Sequence, residues 1–422
     1  MAALLPSAFC LLPSAFLDRA ELLQNARRMI TRVVLALSLL VTAAASGQGL
    51  DPLRNVSGTA SNPGSTSPWV QAADRQWTFF HGLDAHVTYV SETGPEEQRN
   101  EVFSTNWFAA GLHRNFGERG FVLVRGRVSL EPYTLPDDEG YPQILQYVSP
   151  AHGGGPVIDR MRPHDLFGEA AVQVGWRPTS GTLVSVYGAL VGDPALGAPP
   201  FELRSSGVDM AEAPFSYDIQ ETTHDSTKVI TAGFSMRLFT IEGSVFHNGF
   251  TTGDHTEIAD GDIDSRSVRL TFTPTQNLAV QVSRGELGDE EREITSASLS
   301  FGGPALAVTA LWTQREFLTQ ALDAETAYGV ELALRGGRNT FMGRAEWVDR
   351  PLGFPELPFQ TGTEQTTHFA VGYIYDFLAG GRYRTGIGVN VDYHTQSHDL
   401  EDRYGHKPQA IYAFVRFRTS GI

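Results

Sequence analysis

The chain has 422 residues, of which 32 are Lys or Arg and 48 are Asp or Glu, for a net charge of −16. That sign argues against nucleic acid as a partner. A mean hydropathy of −0.18 and a single apolar helix candidate exclude a bundle of membrane-spanning helices, but not a membrane barrel, whose strands alternate apolar and polar residues and average to mild hydrophilicity.

In chain order, residues 4–17 hold the tandem repeat LLPSAFC-LLPSAFL, which has no place in an export signal. Met29 is the expected start, and residues 1–28 read as an over-called start. Residues 29–47 read as a signal peptide. Arg27, Arg28 and Arg32 supply the basic flank, VVLALSLLVTAAA (33–45) the apolar stretch, and small residues the cleavage region. The apolar stretch is too short to span a bilayer comfortably. Cys10, the only cysteine, lies upstream of it, so the exported chain has no disulfide, zinc–thiolate site or cysteine nucleophile. Residues 48–76, rich in Gly, Ser, Pro and Asn without a period, are expected to form a flexible periplasmic leader.

From Trp77 to the end (77–422), period-2 runs recur. They lie near 77–90, 101–115, 120–132, 167–177, 182–191, 227–238, 240–249, 265–273, 276–285, 292–301, 304–315, 325–336, 339–349, 365–377, 381–396 and 408–419. That is about sixteen strands, within a range of roughly 14–18. The connections alternate short and long, as they do when one rim of a barrel carries tight turns and the other carries loops. The fold class expected is all-β: a transmembrane, antiparallel, up-and-down β-barrel with both termini on the short-turn, periplasmic side. Its apolar row faces lipid and its polar row the lumen, and Tyr373, Tyr375, Tyr383, Tyr393 and Phe417 suit interfacial aromatic girdles.

The polar rows supply the candidate lumen lining: Arg125, Arg127, Glu169, Arg237, Glu242, Arg269, Glu331, Arg335, Arg344, Glu346, Arg384 and Asp392. These mixed signs fit either a charge-graded pore or ion pairs that brace the wall. Two long extracellular loops, 133–166 and 192–226, are too long to be simple connectors and are candidates to fold into the lumen. Asp159, Arg160, His164, Asp165, Asp193, Glu221 and His224 are their candidate constriction residues, and His164 and His224, with carboxylates near, are candidate ligands for a divalent metal.

Four stretches, DRMRPHDLF (159–167), GDPALGAPPF (192–201), EAP (212–214) and TTHDSTKVITAGF (222–234), resemble segments of an uncharacterised family of Gram-negative outer-membrane β-barrel proteins. That family carries a Pro-His-Asp element, an Asp-Pro-Ala-Leu-Gly element, and an acidic-Ser-Thr-His element leading into a strand. Pro163, His164 and Asp165 match the first, and Asp193 to Gly197 the second. The third is looser: Glu221 to His224 stand in place, but Tyr217 and Asp218 occupy the positions of an expected histidine pair, which weakens any carry-over of a metal site. The resemblance implies location and fold, and no reaction.

The function expected is a porin-like channel for passive passage of small polar solutes or ions. A second expectation is a barrel with a ligand- or metal-binding site formed by the two loops. A hydrolase would need a nucleophile positioned against a base, and no spacing singles one out, so the chain reads as non-enzymatic and without a cofactor. The partners expected are outer-membrane lipid and lipopolysaccharide, the passing solute, and further copies of the chain in a homo-oligomer.

Overall fold

Strands with one apolar and one polar face leave no unpaired backbone in lipid only if the sheet closes on itself. It does so here. The computed structural model describes residues 50–419 apart from 65–66, 75, 94–98, 137–139, 149–156, 250–254, 289–290, 320–322, 351–362 and 397–400. Residues 1–47, read as an over-called start and an export signal, lie outside the described residues, as does Cys10.

Among the described residues sixteen strands form one closed antiparallel barrel. They are β1 (Trp77–Thr93), β2 (Asn100–Phe116), β3 (Gly120–Val128), β4 (Phe167–Trp176), β5 (Thr182–Val191), β6 (Thr227–Met236), β7 (Phe239–His247) and β8 (Ser265–Thr275), followed by β9 (Leu278–Leu287), β10 (Arg292–Gly302), β11 (Leu306–Phe317), β12 (Glu325–Gly336), β13 (Asn339–Arg350), β14 (Glu364–Gly380), β15 (Tyr383–Thr395) and β16 (Gln409–Thr419). Each pairs with the next, and β16 closes on β1, with Arg418 opposite Asp84 and Gln409 opposite Thr93. The shortest strands have 9 residues, enough to cross a bilayer when tilted. No described helix is long and apolar enough to do so.

The two faces separate as the alternation demands. Val102, Leu190 and Val371 point outward at 63%, 67% and 66% exposure, while Asp84, Arg269, Glu331 and Arg416 point inward and are buried. Near the short-turn rim Tyr383 stacks on Phe417 at 5.7 Å and Phe341 meets Tyr373 at 4.9 Å, aromatic pairs suited to an interfacial belt.

Two expectations need correction. Arg237 does not line the lumen. Strand β6 ends at Met236, and Arg237 and Leu238 make a two-residue turn in which Arg237 is exposed, at φ 47°. The equivalent turns at Gly337 and Gly381 use glycine at φ 60° and 69°. An arginine in that conformation carries no sequence signal of a turn.

The segment 48–76 is not a flexible leader in its described part. Residues 52–54 form a single 3-10 turn, Asn55–Ser57 pairs with Ala60–Ser61, and Val70–Asp74 adds to the lower half of β1. Its backbone is satisfied by wall side chains: Arg125 donates to the carbonyls of Asn55 and Gly58, and the Gly58 amide donates to Glu169. Trp69 packs on Phe80 and Trp107. Composition marks the absence of helix and strand periodicity, but it cannot distinguish free chain from chain seated on a polar wall.

Candidate functional site: the filled lumen

Both long loops turn inward. Of the stretch 192–226, every residue is buried except Ala198, Gln220 and Asp225, which are half-buried. Pro194, Pro199, Pro200 and Pro214 forbid regular pairing, so the loop runs as successive turns with one short helix, α1 (Tyr217–Gln220). Gly197, at φ 72°, takes a turn that an L side chain would strain. The loop's polar groups are answered by the wall almost all the way round. The amides of Ala195 and Gly197 donate to Ser244 on β7 and Ser283 on β9, both within 2.8 Å.

The strongest ties are ionic. Arg204 forks onto Glu331 of β12 at 2.8 and 3.0 Å and also reaches Glu221 at 2.6 Å. Ser206 donates to Thr309 of β11 at 2.7 Å. Asp209 is met by Arg335 at 2.6 Å, by Arg418 at 3.1 Å and by Arg416. Burial opposes charge on Asp209, but these three guanidinium groups hold its carboxyl well below the usual carboxylate range. Glu346 of β13 accepts from the amides of Phe215 and Ser216 at 2.8 and 3.0 Å, and Asp218 accepts from Arg315 at 2.8 Å. Glu202 accepts from Arg127 at 2.9 Å. Glu212 lies 3.5 Å from Arg344 and accepts from Asn390 at 3.0 Å. Its carboxyl is pushed up to about 8, first by burial and then by Asp392.

The loop 133–166 contributes a hairpin, Tyr141–Val148 on Val157–Met161. The Tyr141 ring stacks on Phe103 at 4.4 Å, and its hydroxyl accepts the Ala213 amide. Ahead of the hairpin a short helix, α2 (Glu131–Thr134), ends the run expected to continue to 132, because Pro132 begins a helical turn rather than a rung.

The candidate constriction residues fall into separate places. His164 and His224 come together with ring centroids 5.5 Å apart and edge to face. His164 pairs with Glu131 at 2.7 Å. Burial pulls the imidazole down, but Glu131 more than reverses it, raising it to about 10. His224 has Asp225 at 2.9 Å and the Tyr217 hydroxyl at 2.5 Å on Nε2, and the Glu221 carbonyl at 2.6 Å on Nδ1. Both its nitrogens thus contact protein groups. Asp193 sits in the interior beside the leader, its carboxyl pushed up to about 7 by burial. Glu221 anchors the amide of Phe201. Asp159 instead braces the hairpin, accepting from the Leu145 amide and the Tyr404 hydroxyl. Arg160 pairs with Glu101, and Asp165 with His255.

Of the lumen-lining set, Arg125 with Glu169 (2.6 Å) and Arg269 with Glu242 (2.9 Å) pair along the wall. Glu331, Arg335, Arg344 and Glu346 hold the loop, as described above. Arg384 sits near the short-turn rim on Asp376 at 3.0 Å, and Asp392 faces His368 at 3.0 Å. Sequence reasoning did not single out Glu202, Arg204, Asp209, Glu212, Glu131 or His368 as site residues. His368, the one strand member, could have been found from inward parity, as it shares the face of Ala370. The loop members carry no period.

With loop and leader in place, small spaces lie among the described residues. One, of about 30 Å³, is lined by Asp84, His86, Glu131, His164, Glu202 and Asp225 among others, room for one or two waters.

No family model matches the chain, and no curated protein matches it. Among solved structures, the chain is similar to OmpF of Salmonella typhi in complex with daunomycin, at 10% identity and a TM-score of 0.50, over 83% of this chain and 100% of that one. It is similar to an anion-selective porin of Comamonas acidovorans at 11% identity and a TM-score of 0.49, over 81% and 99%. A mutant of the Rh. blastica porin aligns at 10% identity and a TM-score of 0.40, over 81% and 99%. At such identities the likeness is one of fold, and the fold is the closed antiparallel barrel of outer-membrane porins.

Proposed function

We propose that this chain is an outer-membrane, porin-like channel for small polar solutes or ions, throttled by its own inserted loop and leader. One observation carries the reading: inside a barrel with an apolar exterior, loop 192–226 is pinned across the lumen by side chains of nearly every wall sector, from Ser244 on β7 to Arg416 on β16. A sixteen-strand barrel encloses an aqueous interior, and the 35 residues of 192–226 lie in it, where they narrow any passage. Passage then requires the loop to shift or solutes to follow the residual polar spaces. Residues 29–47 serve as the export signal with Met29 as the start, both barrel termini face the periplasm, lipid and lipopolysaccharide surround the wall, and copies associate as a homo-oligomer. The matches at Pro163–Asp165 and Asp193–Gly197 ally the chain with the uncharacterised barrel family it resembles.

The test uses the absence of cysteine from the exported chain. Ser206→Cys with Thr309→Cys puts two thiols where hydroxyls lie 2.7 Å apart, to be joined by oxidation and the disulfide verified by mass. In planar bilayers the reduced protein should show ion-conducting openings and the oxidised protein should lose them. Equal conductance in both states, or none in either, sinks the proposal.

A second reading, a small-ligand site between the two loops, has the His164–His224 cluster and its adjoining space in its favour. Calorimetric titration with Cu²⁺ and Zn²⁺ of wild type, His164→Ala and His224→Ala tests its metal form. Heats that are absent, or equal in all three, remove it.

A further inference from the structure

A different cluster, on the wall and away from the loop histidines, has the make-up of a metal centre. His368 on β14 lies directly opposite His394 on β15, and Asp392 precedes His394 by two residues on the same face. All three side chains are buried, at 0–1% exposure, and one donor atom from each falls within 4.8 Å of the others. Donors in a tetrahedral zinc site sit about 2.0–2.1 Å from the ion and therefore about 3.3 Å apart, a contraction that side-chain rotation can supply.

Hydrogen bonding favours a cation there. His368 Nδ1 faces Glu346 at 2.8 Å and Nε2 faces Asp392 at 3.0 Å. If Nδ1 donates to Glu346, as ligating histidines commonly do to an outer carboxylate, then Nε2 turns a lone pair toward the Asp392 carboxylate. That contact is repulsive unless a proton or a metal ion lies between them. A second proton would settle His368 alone. It would leave buried His394 Nδ1, which has no hydrogen-bond partner, unanswered, and it would set an imidazolium in a 4.7 Å stack against the His394 ring. A metal ion answers both rings at once. A further carboxylate is at hand: Glu212 of the inserted loop is tied to Asp392 through Asn390, and its Oε2 also has no partner. The Phe215 ring, 5.7 Å from His394, covers the cluster from the loop side.

We propose that His368, Asp392 and His394 form a mononuclear site for a borderline divalent transition-metal ion of the Zn²⁺ type, with Glu346 as the carboxylate that orients His368. Two histidines and one carboxylate suit such ions better than Mg²⁺ or Ca²⁺, which take mostly oxygen donors. The ion would clip β14 to β15 under the loop, whether or not the barrel conducts.

The experiment is metal retention by tag-free, detergent-solubilised full-length barrel, stripped with chelator and dialysed against Zn²⁺, with metal per chain read by plasma mass spectrometry. Wild type should hold one Zn²⁺, and Co²⁺ in its place should give the intense visible absorption of a four-coordinate site. Asp392→Asn and His394→Phe, the second retaining an aromatic ring on the His368 stack, should each weaken binding by at least a hundredfold. Glu346→Gln should weaken it by about ten- to a hundredfold. His224→Ala should leave it unchanged. Heat-modifiable gel migration confirms that each variant is folded. Wild type with no bound Zn²⁺, Co²⁺ with only weak six-coordinate absorption, or undiminished Zn²⁺ in both Asp392→Asn and His394→Phe overturns the proposal. Zn²⁺ lost only in His224→Ala also overturns it and places the ion at the loop.

Discussion

The Asp209 carboxylate is the clearest single point at which to loosen the lumen. It is fully buried and receives Arg335, Arg416 and Arg418 from two strands that are not neighbours, β12 and β16. Asp209→Asn preserves shape and removes the charge, so three buried guanidinium groups lose their shared counter-ion on the loop, although Arg416 keeps Asp376 at 2.7 Å. Removing one partner of a buried ion pair costs about 3–5 kcal/mol. The barrel retains its backbone ladder, so that cost falls mainly on the docked loop. The ratio of displaced to docked loop should rise by roughly two to three and a half orders of magnitude. In planar bilayers Asp209→Asn should open far more often than wild type at the same voltage. Adding Ser206→Cys and Thr309→Cys under oxidising conditions should restore closure. Unaltered open probability in Asp209→Asn, with the protein folded, would refute the idea that this ion cluster holds the loop.

Three further outcomes follow from the same contacts. Asp193 and Glu212 of the loop have pKa values raised by burial, to about 7 and 8. The docked state therefore binds protons more tightly than the displaced one, and this stabilisation, full below the solvated pKa values, is lost as pH rises through about 7 to 8. Conductance measured from pH 6 to 10 should increase with pH, and a flat profile would count against the docked geometry. On the acid side, Asp209 is depressed, so docking should also weaken as pH falls below its ordinary value of 3.8. A methyl group on Gly58, which sits at φ 51°, would stand 2.2 Å from the Asp193 carbonyl. Gly58→Ala should thus cost roughly 1–3 kcal/mol of leader seating and speed protease cleavage within residues 50–74, and an unchanged cleavage rate would contradict the seating. Arg237→Gly relieves a left-handed residue worth roughly 1–2 kcal/mol and should raise the urea midpoint of the barrel in lipid vesicles. A lower midpoint would mean that the arginine makes a compensating contact.

What the chain by itself determined is the wall. Runs such as 182–191 and 325–336 coincide with β5 and β12, because a strand between lipid and lumen must alternate and alternation survives in one dimension. The inward parity of Arg125, Arg269, Glu331 and Asp392 came with it. What fills the barrel follows from long-range packing alone. Residues 192–226 follow no period, since their partners are mostly single side chains scattered over β2 to β16 rather than neighbours in sequence, and in 50–74 only short strands form, the last of them on β1. Arg204 meets Glu331 at a separation of 127 residues and Asp209 meets Arg416 at 207. The same limit hid His368 and His394, adjacent across two strands yet 26 positions apart in the chain. The register that pairs those two histidines is set by the two-residue turn between β14 and β15, whereas the joining of β16 to β1 has no local signature.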